Sequence, residues 1–178
     1  MPFSSLGLTP SLLKALAGQN YTEIYPVQKE AIPAILNKKD VLGIAPTGSG
    51  KTAGYVLPLL TNLQKNAVTK NRFVNVLVLV PTRELALQVH ESVRTYSKHV
   101  PLRSMCAFGG VDIRPQIAEL KKGVEILVAT PGRLLDHVEN KSVSFNSVQV
   151  LVLDEADRML DMGFIPDVTR ILKMLPAQ

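Results

Sequence analysis

Val41–Thr52 reads VLGIAPTGSGKT: a short apolar run, a glycine-rich turn, then Lys51 and Thr52. Val148–Asp157 reads VQVLVLDEAD, a longer apolar run that ends abruptly on acid. A glycine-rich turn leading from a strand into a helix can hold a polyphosphate, because its backbone N–H groups and the helix N-terminus converge on negative charge. An acidic residue closing a second buried strand can hold the Mg²⁺ that such a phosphate carries. Together, each at a strand end, the two strings make a nucleotide site.

Working outward, strand-length apolar runs recur near 41–45, 74–80, 103–107, 124–129 and 148–153. Helical patterns fill most of the intervals, at 52–64, 84–98, 115–121 and 134–139, and two more follow the last run at 155–160 and 165–175. Strands that are apolar throughout, alternating with amphipathic helices, predict an α/β fold with a mostly parallel twisted sheet and helices on both faces. Ligands in such sheets gather beyond the carboxyl ends of the strands. The unusual residues fall there: 45–52, 81–84, 108–110, 130–133 and 154–157. Upstream, Thr9-Pro10 reads as a helix start, and Pro26 opens a second helix to about Asn37, with a kink expected at Pro33.

Composition narrows the class. With 178 residues, 46% of them apolar, the chain is large enough to bury a core without staples. Aromatic residues are 5% and Trp is absent, so aliphatic side chains supply the packing. A net charge of +5 permits a polyanionic partner, although the basic residues are scattered as on a solvated surface. The lone Cys106 forms no internal disulfide and fits a reduced, cytoplasmic setting. His90, His99 and His137 lack metal-ligand spacing and read as surface or structural residues. The N-terminus lacks the pattern of a signal peptide, and no stretch approaches the roughly 18–20 apolar residues that span a bilayer.

The two strings divide the chemistry between them. Gly48, Ser49 and Gly50 let the backbone wrap around phosphates, Lys51 adds a point charge, and Thr52 offers its hydroxyl to Mg²⁺. Asp154 is the metal's second partner, through water, and Glu155 is placed to orient or deprotonate an attacking water. Phosphoryl transfer asks for positioning and charge stabilisation, which this inventory supplies for ATP. At the other strand ends, Thr82 and the turn around Gly132 offer hydroxyls and free N–H groups to backbone phosphates, and Gly109-Gly110 allow close approach. Arg83 and Arg133 either add charge-assisted contacts or brace the neighbouring loops. No aromatic stacking platform or base-reading cluster is apparent, so binding is expected to be sequence-independent and salt-sensitive.

These motifs resemble, in order, those of the first RecA-like domain of DEAD-box ATP-dependent RNA helicases, over a span from about Phe3 to the end. AxTGxGKT stands at Ala45–Thr52, PTRELA at Pro81–Ala86, GG at Gly109-Gly110, TPGR at Thr130–Arg133 and DEAD at Asp154–Asp157. The resemblance implies ATP and Mg²⁺ as cofactors, with Ala45, Thr47, Gly48, Ser49, Gly50, Lys51 and Thr52 around the phosphates. It implies Lys51, Asp154 and Glu155 in hydrolysis, and Asp157 in coupling. Pro81, Thr82, Arg83, Gly109, Gly110, Thr130, Pro131, Gly132 and Arg133 would lie on RNA. The upstream segment NYTEIYPVQ at Asn20–Gln28 is similar to the family's glutamine motif, although Asn20, Ile24 and Tyr25 replace its usual Gly, Pro and Thr. There the family packs an aromatic ring on adenine and reads its edge with a glutamine amide, which falls to Phe3 and Gln28. By physics alone Phe3 is a core anchor and Gln28 a surface helix residue.

The resemblance also sets the domain plan. Residues 1–178 would form one N-terminal ATP-binding domain, with a helical region at 1–37 and a RecA-like sheet core at 38–178 lacking its last strand. A second RecA-like domain, which in the family completes the site and the RNA clamp, would belong to the same polypeptide. The function implied is the ATP-binding half of an RNA helicase, active in duplex unwinding or RNP remodelling and without a membrane partner. Alternatives are a P-loop ATPase acting on DNA and a non-catalytic RNA-binding module.

Overall fold

The computed structural model describes residues 3–19, 24–37, 41, 50–65 and 73–176. The chain divides into two compact units, Met1–Thr69 with Glu91–Pro101, and Lys70–His90 with Leu102–Gln178. The strand expected at 41–45 and the loop residues Ala45, Thr47, Gly48 and Ser49 lie outside the described residues.

In the first unit a 3₁₀ turn (Phe3–Leu6) precedes α1 (Pro10–Gly18), α2 (Pro26–Leu36) and α3 (Lys51–Lys65). Pro10 and Pro26 each stand in the first turn, where a missing N–H costs nothing. α2 continues through Pro33 to Leu36. α3 packs on α2: Gly54 sits where a Cβ would lie 3.9 Å from the Ala31 Cβ, and the Asn62 amide donates to the Ile35 carbonyl at 3.1 Å. Leu12, Leu16, Ile32, Leu57 and Leu60 are the large apolar side chains of these helices buried to 2% exposure or less.

The second unit carries the sheet. Its strands are β1 (Val76–Leu79), β2 (Ser104–Ala107), β3 (Ile126–Ala129) and β4 (Val150–Leu153), alternating with α4 (Arg83–Tyr96), α5 (Arg114–Lys122), α6 (Pro131–Glu139), α7 (Ala156–Asp161) and α8 (Ile165–Met174). The final residues of α4, from Glu91, belong to the first unit. All described pairings are parallel, in the order β2-β3-β1-β4. One face, through Leu77, Leu79, Met105, Ala107, Leu127 and Ala129, packs against Leu120 of α5, Leu134 and Leu135 of α6, and Val168 and Ile171 of α8. The opposite face of the central strands is also buried, through Val76, Val78, Ile126 and Val128. Burial on both faces explains why the runs are apolar throughout rather than alternating. β4, like β2, is an edge among the described strands and is only partly buried, with Leu153 39% exposed.

The register decides where the loops emerge. Ala107, Ala129, Leu79 and Leu153 stand side by side across the sheet. Parallel neighbours lie roughly 4.8 Å apart. The segments that follow therefore line one edge in the order Phe108–Gly110, Thr130–Arg133, Pro81–Arg83, Asp154–Asp157.

Candidate nucleotide and nucleic-acid site

In the first unit the glutamine and the end of the glycine turn are brought together. Gln28 is 3% exposed. Its Oε1 accepts from the Tyr25 N–H at 3.1 Å, half of a capping box at the start of α2. Its Nε2 donates to the Gly50 carbonyl at 3.2 Å, which also accepts from the Gly54 N–H as α3 begins. The surface position that periodicity assigns to Gln28 is thus corrected: the amide is buried because it ties the start of α2 to the start of α3. Gly50 has φ +84°, and a Cβ there would lie 2.5 Å from Gln28 Nε2 and 2.6 Å from Tyr25 Cδ2. Any other residue there would be strained in backbone conformation and would have to displace the Gln28 and Tyr25 side chains. Lys51 and Thr52 occupy the first turn of α3, both partly exposed. Phe3 is 6% exposed in the 3₁₀ turn, the core placement its chemistry predicts.

In the second unit β4 ends on Asp154, whose N–H donates to the Leu79 carbonyl at 3.0 Å and whose residue is 8% exposed. Glu155 then takes the left-handed conformation, φ 55° and ψ 50°. That region costs a non-glycine residue roughly 1–2 kcal/mol and is concentrated at functional sites. Here it turns the chain sharply from β4 into α7. The Arg158 guanidinium contacts the Glu155 carboxylate at 3.3 Å, from the next turn of α7. Asp157 is exposed on the first turn of the same helix.

Along the rest of the edge, Thr82 caps α4, its hydroxyl accepting from the Leu85 N–H at 3.2 Å. The preceding Pro81 is buried, and Arg83 lies with its guanidinium 5.0 Å from the centre of the Phe108 ring, a cation–π contact. Gly109, Gly110 and Gly132 are exposed, and a Cβ at any of them would meet nothing within 4 Å. Gly110 needs its left-handed φ of +81°; Gly109 and Gly132 answer to no crowding from the chain itself. α6 begins at Pro131 without a side-chain cap from Thr130. Arg133 is a brace: Nη1 donates to Gln116 Oε1 at 3.2 Å, Nη2 to the Val111 carbonyl at 3.0 Å, and Nε lies 3.6 Å from Asp136.

Periodicity gave no sign of Gln116, which is 8% exposed, or of the wholly buried His137 behind Arg133. Burial and the neighbouring Arg133 charge hold the His137 imidazole below its ordinary pKa, while Asp136 opposes them. The unfolded chain therefore binds this proton more readily. Its contribution to stability is complete above the unfolded value of about 6.5 and is lost as pH falls through that value toward the folded one. Thermal unfolding at pH 7.5 and 5.5 should show a drop in midpoint that shrinks in His137→Gln; an equal drop in both proteins would clear His137 of any part in it.

A parallel α/β sheet whose strand ends gather an acidic pair, a capped helix start and unobstructed glycines, in a chain whose sequence also carries a glycine-lysine turn, defines a nucleotide-dependent protein of the P-loop class. The DEAD/DEAH box helicase family matches residues 25–178. The chain belongs to that family. It is 46% identical over 176 residues to the ATP-dependent RNA helicase CshA of Limosilactobacillus reuteri, which covers 99% of this chain and 35% of that protein. It is 41% identical to the DEAD-box ATP-dependent RNA helicase RhpA of Helicobacter pylori, with the same coverage. The ATP-dependent rRNA helicase RRP3 of Meyerozyma guilliermondii is 46% identical over 99% of this chain and 36% of its own length. The chain spans about a third of the length of the curated relatives it matches. No described helix is long and apolar enough to cross a membrane.

Proposed function

We propose that this chain is the ATP-binding half of an ATP-dependent RNA helicase, coupling ATP binding and hydrolysis to local duplex unwinding or RNP remodelling in the cytoplasm. The observation that carries the reading is the row of four motif loops along one sheet edge, in the order imposed by β2-β3-β1-β4. Lys51 and the residues of the glycine turn hold the phosphates, with Phe3 and Gln28 toward the base. Thr52 and Asp154 are the residues that would hold Mg²⁺; Asp154, a buried carboxylate directly after β4, is the hard oxygen donor that this ion prefers. When bound, the ion neutralises charge on the phosphates. Glu155 orients the attacking water, and Asp157 couples this end of the edge to the RNA loops.

RNA lies on Pro81–Arg83, Gly109-Gly110 and Thr130–Arg133. Contacts come from α-helix starts and from glycines that leave room for a sugar-phosphate chain, so the sequence of the RNA matters little. A second RecA-like domain of the same polypeptide completes the site and the clamp.

The test is ATP hydrolysis by the full-length gene product, with single-stranded RNA, with single-stranded DNA and with neither. Stimulation by RNA well above that by DNA is expected. Equal stimulation by DNA would favour the DNA-acting ATPase, and no hydrolysis under any condition would leave only a binding module.

A further inference from the structure

Gln116 stands outside every motif of the edge, yet three residues, one from the loop after β2 and two from α6, meet at its amide. Nε2 donates to the Phe108 carbonyl at 3.1 Å, and Oε1 accepts from Arg133 Nη1 at 3.2 Å. His137 Nε2 lies 3.0 Å from the same Oε1. A carbonyl on one side and a guanidinium on the other leave the amide a single orientation, so His137 must carry its proton on Nε2. Its Nδ1 then faces the Ser142 hydroxyl at 2.8 Å, and that hydroxyl, also 3.0 Å from the His137 carbonyl, has one proton to offer the two acceptors.

The consequence falls on the glycine loop. Phe108 and Val111 flank Gly109-Gly110, and both of their carbonyls are held, one by Gln116 and the other by Arg133 Nη2. Between those points a Cβ on either glycine would meet nothing within 4 Å. The loop is thus shaped at its two ends and open in the middle. The Phe108 ring also carries Arg83, so the same loop joins the starts of α4 and α6.

We infer that Gln116, backed by His137, is a positioning residue for nucleic-acid binding: it holds the Phe108–Val111 loop ready for a sugar-phosphate chain that it does not itself touch. The inference rests on the proposed function of this edge. A loop ordered before binding spares the complex the cost of ordering it afterwards.

The test is fluorescence anisotropy with a labelled oligouridylate across a range of salt concentrations. Gln116→Met is expected to weaken binding about tenfold, the loop's ordering cost now falling on the complex. The slope of log affinity against log salt should stay as it was, because no cation has left a phosphate. Loss of a direct cationic contact would lower that slope by about 0.7. Unchanged affinity in a folded Gln116→Met protein overturns the inference, and so does a reduced slope. Should that variant fail to fold, Gln116→Glu decides. It keeps the acceptor for Arg133 and His137 but loses the donor to Phe108, so weaker binding and faster amide exchange at residues 109–111 are expected; affinity and exchange equal to the unmodified protein's overturn the inference. If the unmodified protein binds no RNA, the proposed function falls first and the inference with it.

Discussion

Glu155→Gln in the full-length gene product is expected to slow ATP hydrolysis by about 10²–10⁴-fold, the usual contribution of a positioned general base. Nucleotide binding should survive. The substitution keeps the shape of the side chain and removes only its ability to take a proton. The left-handed backbone at Glu155 comes from the turn out of β4 and is equally open to glutamine. The Arg158 guanidinium that meets the Glu155 carboxylate is itself half exposed, so losing that pair should change stability by less than about 1 kcal/mol. Single-turnover hydrolysis, run beside binding of a fluorescent nucleotide, separates the two effects. A hydrolysis rate within threefold of the unmodified enzyme's would remove Glu155 from the chemistry.

Gly50→Ala should damage both the first unit and its ligand. A residue with a side chain at φ +84° costs roughly 1–2 kcal/mol in conformation alone. The new methyl would also press on Gln28 Nε2 and Tyr25 Cδ2, at 2.5 and 2.6 Å, so both side chains must move. The buried Gln28 amide would then lose its bond to the Gly50 carbonyl, at about 1–3 kcal/mol for a stranded polar group. A total of about 2–4 kcal/mol is expected on these grounds. Nucleotide affinity should fall at least about tenfold, since the turn and the start of α3 would shift together. Gly18→Ala is the control, because Gly18 ends α1 with nothing within 4 Å of its would-be Cβ. Chemical denaturation and nucleotide titration of both variants check the expectation. Equal stability and affinity in the two would show that the crowding at Gly50 is relieved at no cost.

Much of the second unit is legible in the residues. The four runs at 74–80, 103–107, 124–129 and 148–153 are strands, each shorter than its apolar run, and the helical intervals between them hold. The central pair, β1 and β3, reads most clearly, because a strand covered on both faces must be apolar at every position. The motif loops are legible for a related reason, since glycine, proline and acid have no place inside such runs. Other features left no linear trace. Gln28 and Gln116 look like surface residues in amphipathic helices, and a pattern of hydrophobicity does not distinguish a buried, satisfied amide from a solvated one. The left-handed turn at Glu155 is equally silent, because Glu is not a residue whose presence announces that conformation.

Family, strand-and-helix alternation and the chemistry available at each strand end were therefore determined by the sequence alone, through residue types that tolerate only a few backbone settings. The order of the loops along the edge was decided by the tertiary structure. So were the commitment of Arg133 to bracing and the network through Gln116 and His137. These depend on which strands pair and which carbonyls fall within about 3 Å of an amide, and such distances between remote residues exist only once the chain has folded.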